Sequence, residues 1–306
     1  MTVVAALVQV LGGLALAPLL PGAVQSLKAR LQGRRGPSPL QPYRELRRLW
    51  GKSGADPQPT TIVYRLAPCV VAAATALALL LIPIAGLAPD WSLGNDALVL
   101  VGLLALGRFA LAAASWDTGS SFALMGSSRD LTFAVFAEPL LLLALVVAAL
   151  PAGSTDLVAM TATAAGSGPW GEPAHWCGAA AFALVVLVET GRQPIDNPDT
   201  HLELTMIHEG PLLEYAGRDL ALLEWSAAAR HWIVLVLAAE LFGPHWGGFW
   251  AQLGWLAVGV AVLCAALAVT ETAQAKMRIL RAPGLIAGGC ALALVGLASA
   301  LVGGLV

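Results

Sequence analysis

Apolar stretches long enough to cross a bilayer recur along this chain, and no other feature limits its fold so tightly. A helix rises about 1.5 Å per residue, so roughly 20 apolar residues span a hydrocarbon core of ~30 Å. Backbone in lipid must satisfy its own hydrogen bonds, which leaves helices or closed barrels. The runs predict helices at about 3–27, 66–89, 96–115, 129–150, 176–190, 228–242, 247–271 and 283–305, the fifth and sixth being short for a full span. Only 12% of the residues are charged, against roughly 25% in a soluble domain. The expectation is an all-α integral membrane protein with about eight transmembrane helices, forming one polytopic domain over 1–306. The first segment has Ala15-Leu16-Ala17 like a signal peptide, but it lacks a basic start and runs directly into Pro18. It reads as a membrane helix.

The basic residues test this count. Lys28, Arg30, Arg34, Arg35, Arg44, Arg47, Arg48, Lys52 and Arg65 fall in the first connection. Arg129 follows the third helix, Arg192, Arg218 and Arg230 follow the fifth, and Lys276, Arg278 and Arg281 follow the seventh. Connections 90–95, 151–175 and 243–246 hold none, and only Arg108 lies deep inside a predicted helix, Arg129 and Arg230 standing at the very starts of theirs. By the positive-inside rule the odd-numbered connections, including loops 28–65 and 191–227, are cytoplasmic and both termini face out. Trp116, Trp176, Trp225, Trp246 and Trp250 sit near helix ends, where amphipathic rings anchor at the interface. The net charge of −2 is sorted by membrane side and points to no nucleic-acid partner.

Two long inside loops differ in kind. Loop 28–65 is basic and rich in Gly and Pro, with Arg34, Arg35 and Arg47 as candidates for docking a protein partner. Loop 191–227 is acidic. Asn197-Pro198 reads as a helix start and Gly210-Pro211 as a stop, which predicts a short helix over 198–209. Asp199 and Glu203 would then share a face and repel. Like charges and burial raise carboxyl pKa values toward neutrality, as a group exchanging protons near pH 7 requires.

Ionisable groups at membrane depth mark function by default. Glu138 in the fourth helix and Arg108 in the third lie at similar depth, either as a structural pair or as part of a proton path. Glu189, Asp196, Asp199, Glu203, Glu214 and Arg192 extend the series as candidate path residues. Glu240 and Glu271, at helix ends, are expected to be interfacial. His201, His208 and Glu209 lack the spacing of a metal site and read as hydrogen-bonded loop residues. Cys69, Cys177, Cys264 and Cys290 lie far apart, mostly within apolar runs, and offer no cluster-ligating spacing.

Two loop signatures carry a resemblance. Gln32-Gly33-Arg34-Arg35-Gly36-Pro37 with Leu40-Gln41-Pro42 resembles the first inside loop of the complex I subunit 1/H family. Glu189-Thr190-Gly191-Arg192-Gln193-Pro194-Ile195-Asp196, Glu203-Leu204 and Glu214-Tyr215-Ala216-Gly217 are similar to that family's third inside loop. His201 stands where the complex I version has a further Glu, and Phe136-Ala137-Glu138-Pro139 departs from its Ser-Tyr-Glu segment. The run from Asn197 to Glu209 instead resembles the membrane subunit of formate hydrogenlyase and related group 4 nickel–iron hydrogenases. So do Arg108-Phe109, Asp117-Thr118-Gly119-Ser120 and Met125-Gly126-Ser127-Ser128-Arg129.

That resemblance implies a membrane-anchoring, proton-path subunit of a multi-subunit oxidoreductase in a prokaryotic cytoplasmic membrane. It implies no redox centre in this chain, with the nickel–iron centre and iron–sulfur clusters in hydrogenase large and small subunits and a ferredoxin-like subunit. Antiporter-like membrane subunits would be its neighbours in the bilayer. The alternatives are a quinone-site subunit of an NADH:quinone oxidoreductase, against which the altered 196–217 loop counts, or a free-standing transporter. A transporter predicts internal repeats, and the sequence shows no convincing one.

Overall fold

The computed structural model describes the chain except for residues 1, 55, 56, 58, 87–95, 167, 197–206, 245, 276, 279, 280 and 304–306, and the side chains of 2–8. The described elements are helical: α1 (Thr2–Leu16), α2 (Leu19–Leu31), α3 (Gln41–Trp50), α4 (Ile62–Leu81), α5 (Ala97–Thr118), α6 (Ser121–Ala149), α7 (Leu157–Ala164), α8 (Pro173–Glu189), α9 (Gly217–Phe242), α10 (Phe249–Ala273) and α11 (Ala282–Gly303). Seven helical segments are long and apolar enough to cross a membrane, the first being Gln9–Leu31, and Pro173–Glu189 is a shorter apolar helix. Each of the eight apolar runs therefore finds its helix.

Some helices extend beyond the ends of their apolar runs. α6 starts at Ser121 rather than 129 and α9 at Gly217 rather than 228. Arg65, Arg129, Arg218 and Arg230 consequently lie inside helices, not in connections. A hydropathy run stops at the first charges, whereas a helix continues through them wherever water or an ion-pair partner accepts the charge. The predicted helix 198–209 falls largely on residues outside those described, and Ile207–Glu209 are bends.

Pro18 divides the first membrane segment, because it has no N–H for the carbonyl of Leu14. That carbonyl instead accepts from the Trp225 indole of α9 at 3.2 Å, and the next one, Ala15 O, accepts from the Tyr43 hydroxyl of α3. Trp225 thus ties helices together, where the sequence predicts an interfacial anchor.

α9 is the central helix. Ile233, Val234, Leu235, Val236 and Leu237 are all buried, an apolar surface on every side that only an enclosed helix carries. α4 packs along α5 and α9, α8 lies against α6, α9 and α11, and α10 closes on α2. Outward faces of α10 and α11 remain apolar and exposed, with Trp250, Val258, Val262, Leu294 and Val295 among them, as a lipid-facing surface requires.

Three of the sequence signatures are joints at the end of the bundle that carries the basic connection. Asp117 Oδ2 accepts from the N–H groups of Thr61 (2.7 Å) and Tyr64 (3.2 Å), so the end of α5 caps the start of α4. The Tyr64 and Tyr215 rings stack at 4.4 Å, and each hydroxyl donates to a backbone carbonyl beside the other ring, of Glu214 and Tyr64 respectively. Gly217 has φ +60, and a Cβ there would sit 2.7 Å from the Ser53 carbonyl oxygen. Gly126 likewise meets Gly210 and Pro211 closely: a Cβ would lie 2.7 Å from Pro211 Cδ.

Candidate functional site

Arg108 stands at the centre of a buried ionic cluster drawn from four helices. Its guanidinium bonds Glu189 Oε1 at 2.9 Å and Glu138 Oε1 at 3.2 Å, and its Nε lies 3.5 Å from Asp130 Oδ2. Glu189 in turn meets Arg230 Nη1 through its other oxygen at 3.4 Å, while Arg230 Nη2 donates to the Leu104 carbonyl at 2.8 Å. The Arg108 and Glu189 side chains are only 5% and 2% exposed. A carboxylate and a guanidinium this deep are tolerable only because each satisfies the other. The planar guanidinium presents donors in several directions, which lets one residue hold carboxylates from both α6 and α8.

The chain of charges continues into the loop after α8. His208 places Nδ1 3.4 Å from Asp196 Oδ2 and Nε2 3.8 Å from Asp130 Oδ1. Asp196 also accepts from the Ile207 N–H at 3.3 Å. Gly191, at φ +59, lets the His208 ring approach, since a Cβ there would lie 2.9 Å from Nδ1. Burial by itself pushes the His208 imidazole down, but the Asp196 hydrogen bond and the charges of Asp130 and Asp196 outweigh it. Against the opposing Arg108 charge, they hold its pKa above the ordinary histidine value.

A second buried cluster lies on the other side of the same loop. Glu271 of α10 meets Arg192 Nη1 at 2.9 Å and Lys28 Nζ of α2 at 3.1 Å, with a side chain that is fully buried. The two clusters are joined through the backbone, where Asp196 N–H donates to the Arg192 carbonyl. Beside them opens a cavity of about 540 Å³. Arg108, Asp130, Glu189, Asp196, His208 and Arg230 are among its lining residues, together with apolar ones such as Pro18, Leu46, Leu111 and Leu223.

The residues with this geometry lie in a chain whose sequence from 3 to 300 matches the NADH dehydrogenase family model. The chain belongs to that family. It is 35% identical over 248 residues to hydrogenase-4 component C of Escherichia coli (strain K12), covering 79% of this chain and 76% of that one. It is 32% identical over 280 residues to formate hydrogenlyase subunit 4 of the same organism, with 89% and 86% covered. An NADH-quinone oxidoreductase subunit of Chlorobium luteolum is 25% identical over 262 residues, with 74% and 69% covered. The fold matches a chain of the membrane-bound sulfane sulfur reductase, an archaeal respiratory membrane complex, with a TM-score of 0.79 at 19% identity, over 98% of this chain and 99% of that one.

Of the predicted site residues of this family member, Arg108, Glu138 and Glu189 meet directly, and Asp196 joins them through His208. Arg192 belongs to the second cluster, with Glu271 as its partner. Asp199 and Glu203 lie outside the described residues. Glu214 contributes its carbonyl to Tyr64, and its carboxylate has no ion pair among the described residues. Glu271 and Glu240 are buried, not interfacial: each is 3% exposed, and Glu240 accepts from the Ala85 N–H at 2.9 Å. Polar partners inside the bundle take the place of interfacial water for both. Sequence reasoning misses Asp130, His208, Arg230, Lys28 and Glu271 as members of the site. Arg230 carries a usable signal, since it stands thirteen residues inside α9 once the helix start is placed at Gly217. Arg34, Arg35 and Arg47 are all exposed on the basic connection. Among the described residues no group of three or more His, Cys, Asp or Glu is arranged to hold a metal ion.

Proposed function

We propose that this chain is the membrane-anchoring, energy-coupling subunit of a multi-subunit nickel–iron hydrogenase of the formate hydrogenlyase type. In this reading it resides in the cytoplasmic membrane with both termini outside. Hydrogenase large and small subunits and a ferredoxin-like subunit dock on Arg34, Arg35 and Arg47 and hold the redox centres, and antiporter-like subunits adjoin it in the membrane. The observation that carries the reading is the ionic chain Arg230–Glu189–Arg108–Glu138, which joins four of the apolar helices around a buried guanidinium and carboxylate. Fixed charges in a low-dielectric medium respond strongly to a change of charge at one end. Such a chain can therefore link a redox event in a docked arm to proton movement in neighbouring membrane subunits, through Glu138, Glu189, Asp196, Asp199, Glu203, Glu214, Arg108 and Arg192.

Glu189→Gln in the native complex tests this. The arm's reaction with a soluble electron acceptor should persist, while proton movement into vesicles falls at least tenfold. Equal rates of both in variant and wild type would refute the coupling role. The 540 Å³ cavity, lined by both apolar and charged side chains, favours a second reading, in which an amphipathic electron carrier such as a quinone binds there. Saturable binding of a short-chain quinone, abolished by filling the cavity with Leu111→Trp, would support it.

A further inference from the structure

We propose that His208 is the proton-accepting switch of the ionic chain, taking its proton from the cavity and passing the charge change to Arg108. This inference rests on the coupling role above and assigns its titrating group.

The core of the chain is poorly suited to exchange protons. Glu189 and Arg108 also border the cavity, but their side chains are only 2% and 5% exposed and each is held by several partners. His208 is placed differently. It lines the cavity, with a side chain 36% exposed, so its accessible surface offers water a route to the ring. It is also the one side chain that touches acids of both the loop and α6, Asp196 and Asp130, among the described residues. With Nδ1–H donated to Asp196, the free nitrogen is Nε2, which faces Asp130 Oδ1 at 3.8 Å.

A proton arriving from the cavity adds at Nε2 and gives an imidazolium between two carboxylates. Asp130 then shares its negative charge between His208 and Arg108, whose Nε is 3.5 Å from its other oxygen. When the proton leaves to the cavity or to an acceptor beyond it, Asp130 returns its full attraction to Arg108. The pull of Arg108 on Glu189 and Glu138 changes in step. Among the described residues, the charged groups that act on the ring are Asp196 in the loop, Asp130 on α6, Glu189 on α8 and Arg108 on α5. With three acids against one arginine, the described surroundings favour the protonated ring. The raised pKa at this position agrees.

The experiment uses the native complex in sealed vesicles and follows the ratio of proton movement to acceptor-linked arm activity from pH 5.5 to 9. In wild type the ratio should fall as pH rises through the His208 ionisation. His208→Gln should lower the low-pH ratio at least tenfold and flatten that limb. A variant that keeps the limb, or loses rate without any change in the pH profile, would overturn the assignment and leave His208 a positioning residue. Should His208→Gln fail to assemble, Asp130→Asn keeps the ring and its Asp196 bond while removing one anion. The limb should then move to lower pH, and an unmoved limb would overturn the proposal. Glu189→Gln, measured in parallel, separates the two readings. If it abolishes coupling while His208→Gln leaves coupling intact, only the switch fails; if Glu189→Gln has no effect, the coupling role itself fails.

Discussion

Arg108→Met gives the sharpest test of what holds the site together. The substitution roughly keeps the length of the apolar stem and removes the guanidinium that three carboxylates share at 2.9, 3.2 and 3.5 Å. Breaking a buried pair by removing one partner costs ~3–5 kcal/mol, chiefly because the other charge stays buried. Here the three acids are not equally stranded. Glu138 is 36% exposed, so its share is screened and small. Glu189 keeps Arg230 at 3.4 Å, which places the total near the lower end of the range, about 3 kcal/mol. That is roughly a hundredfold in the folding equilibrium, at about 1.4 kcal/mol per factor of ten. Arg108→Lys should fall between, since one ammonium cannot hold acids on both α6 and α8. The assay is thermal unfolding of the purified protein in micelles, followed by tryptophan fluorescence, with Glu189→Gln and the double variant completing a cycle. The double variant should be less destabilised than the sum of the singles by ~1–3 kcal/mol, as coupled neighbours are. A single variant within ~0.5 kcal/mol of wild type, or strict additivity in the cycle, would refute the view that Arg108 is the hub.

Gly217→Ala should destabilise by ~1–3 kcal/mol, from left-handed backbone and a Cβ driven into the Ser53 carbonyl; the same unfolding assay reads it, and an unchanged midpoint would contradict the joint. Because the His208 pKa is raised in the folded state, its stabilisation should be complete below the unfolded value of ~6.5 and be lost as pH rises through the higher folded value. Unfolding midpoints of wild type and His208→Gln should therefore differ at pH 6 and converge at pH 9. Cysteine at Arg47 should react with impermeant reagents only from the cytoplasmic side and cysteine at Ser154 only from outside; protection of the latter from outside reagent would overturn the orientation. Charge reversal at Arg34 and Arg35 together should release the soluble arm from membranes, and an arm that stays bound and active would show that these residues serve only to orient the chain.

The eight apolar helical segments were legible in the sequence, because lipid demands long uninterrupted apolar runs and penalises every charge within them. The Arg108–Glu138 pair could be anticipated on depth alone. The same logic misplaced Arg230 and missed the burial of Glu271 and Glu240. It treats a charge near the end of a run as a residue meeting water, whereas helices packed against other helices carry charges inward to meet partners. Lys28, Glu271 and Arg192 lie far apart along the chain and come together only when α2, α10 and the loop after α8 converge. His208 looked like an ordinary loop histidine, because neither Asp130 on α6 nor the glycine that admits its ring at Gly191 can be related to it by spacing. Hydrophobic periodicity is a local property and sets which segments enter the membrane. Which buried charges meet is a property of helix packing, and that was decided by the glycines, capping acids and freed carbonyls at the joints between helices.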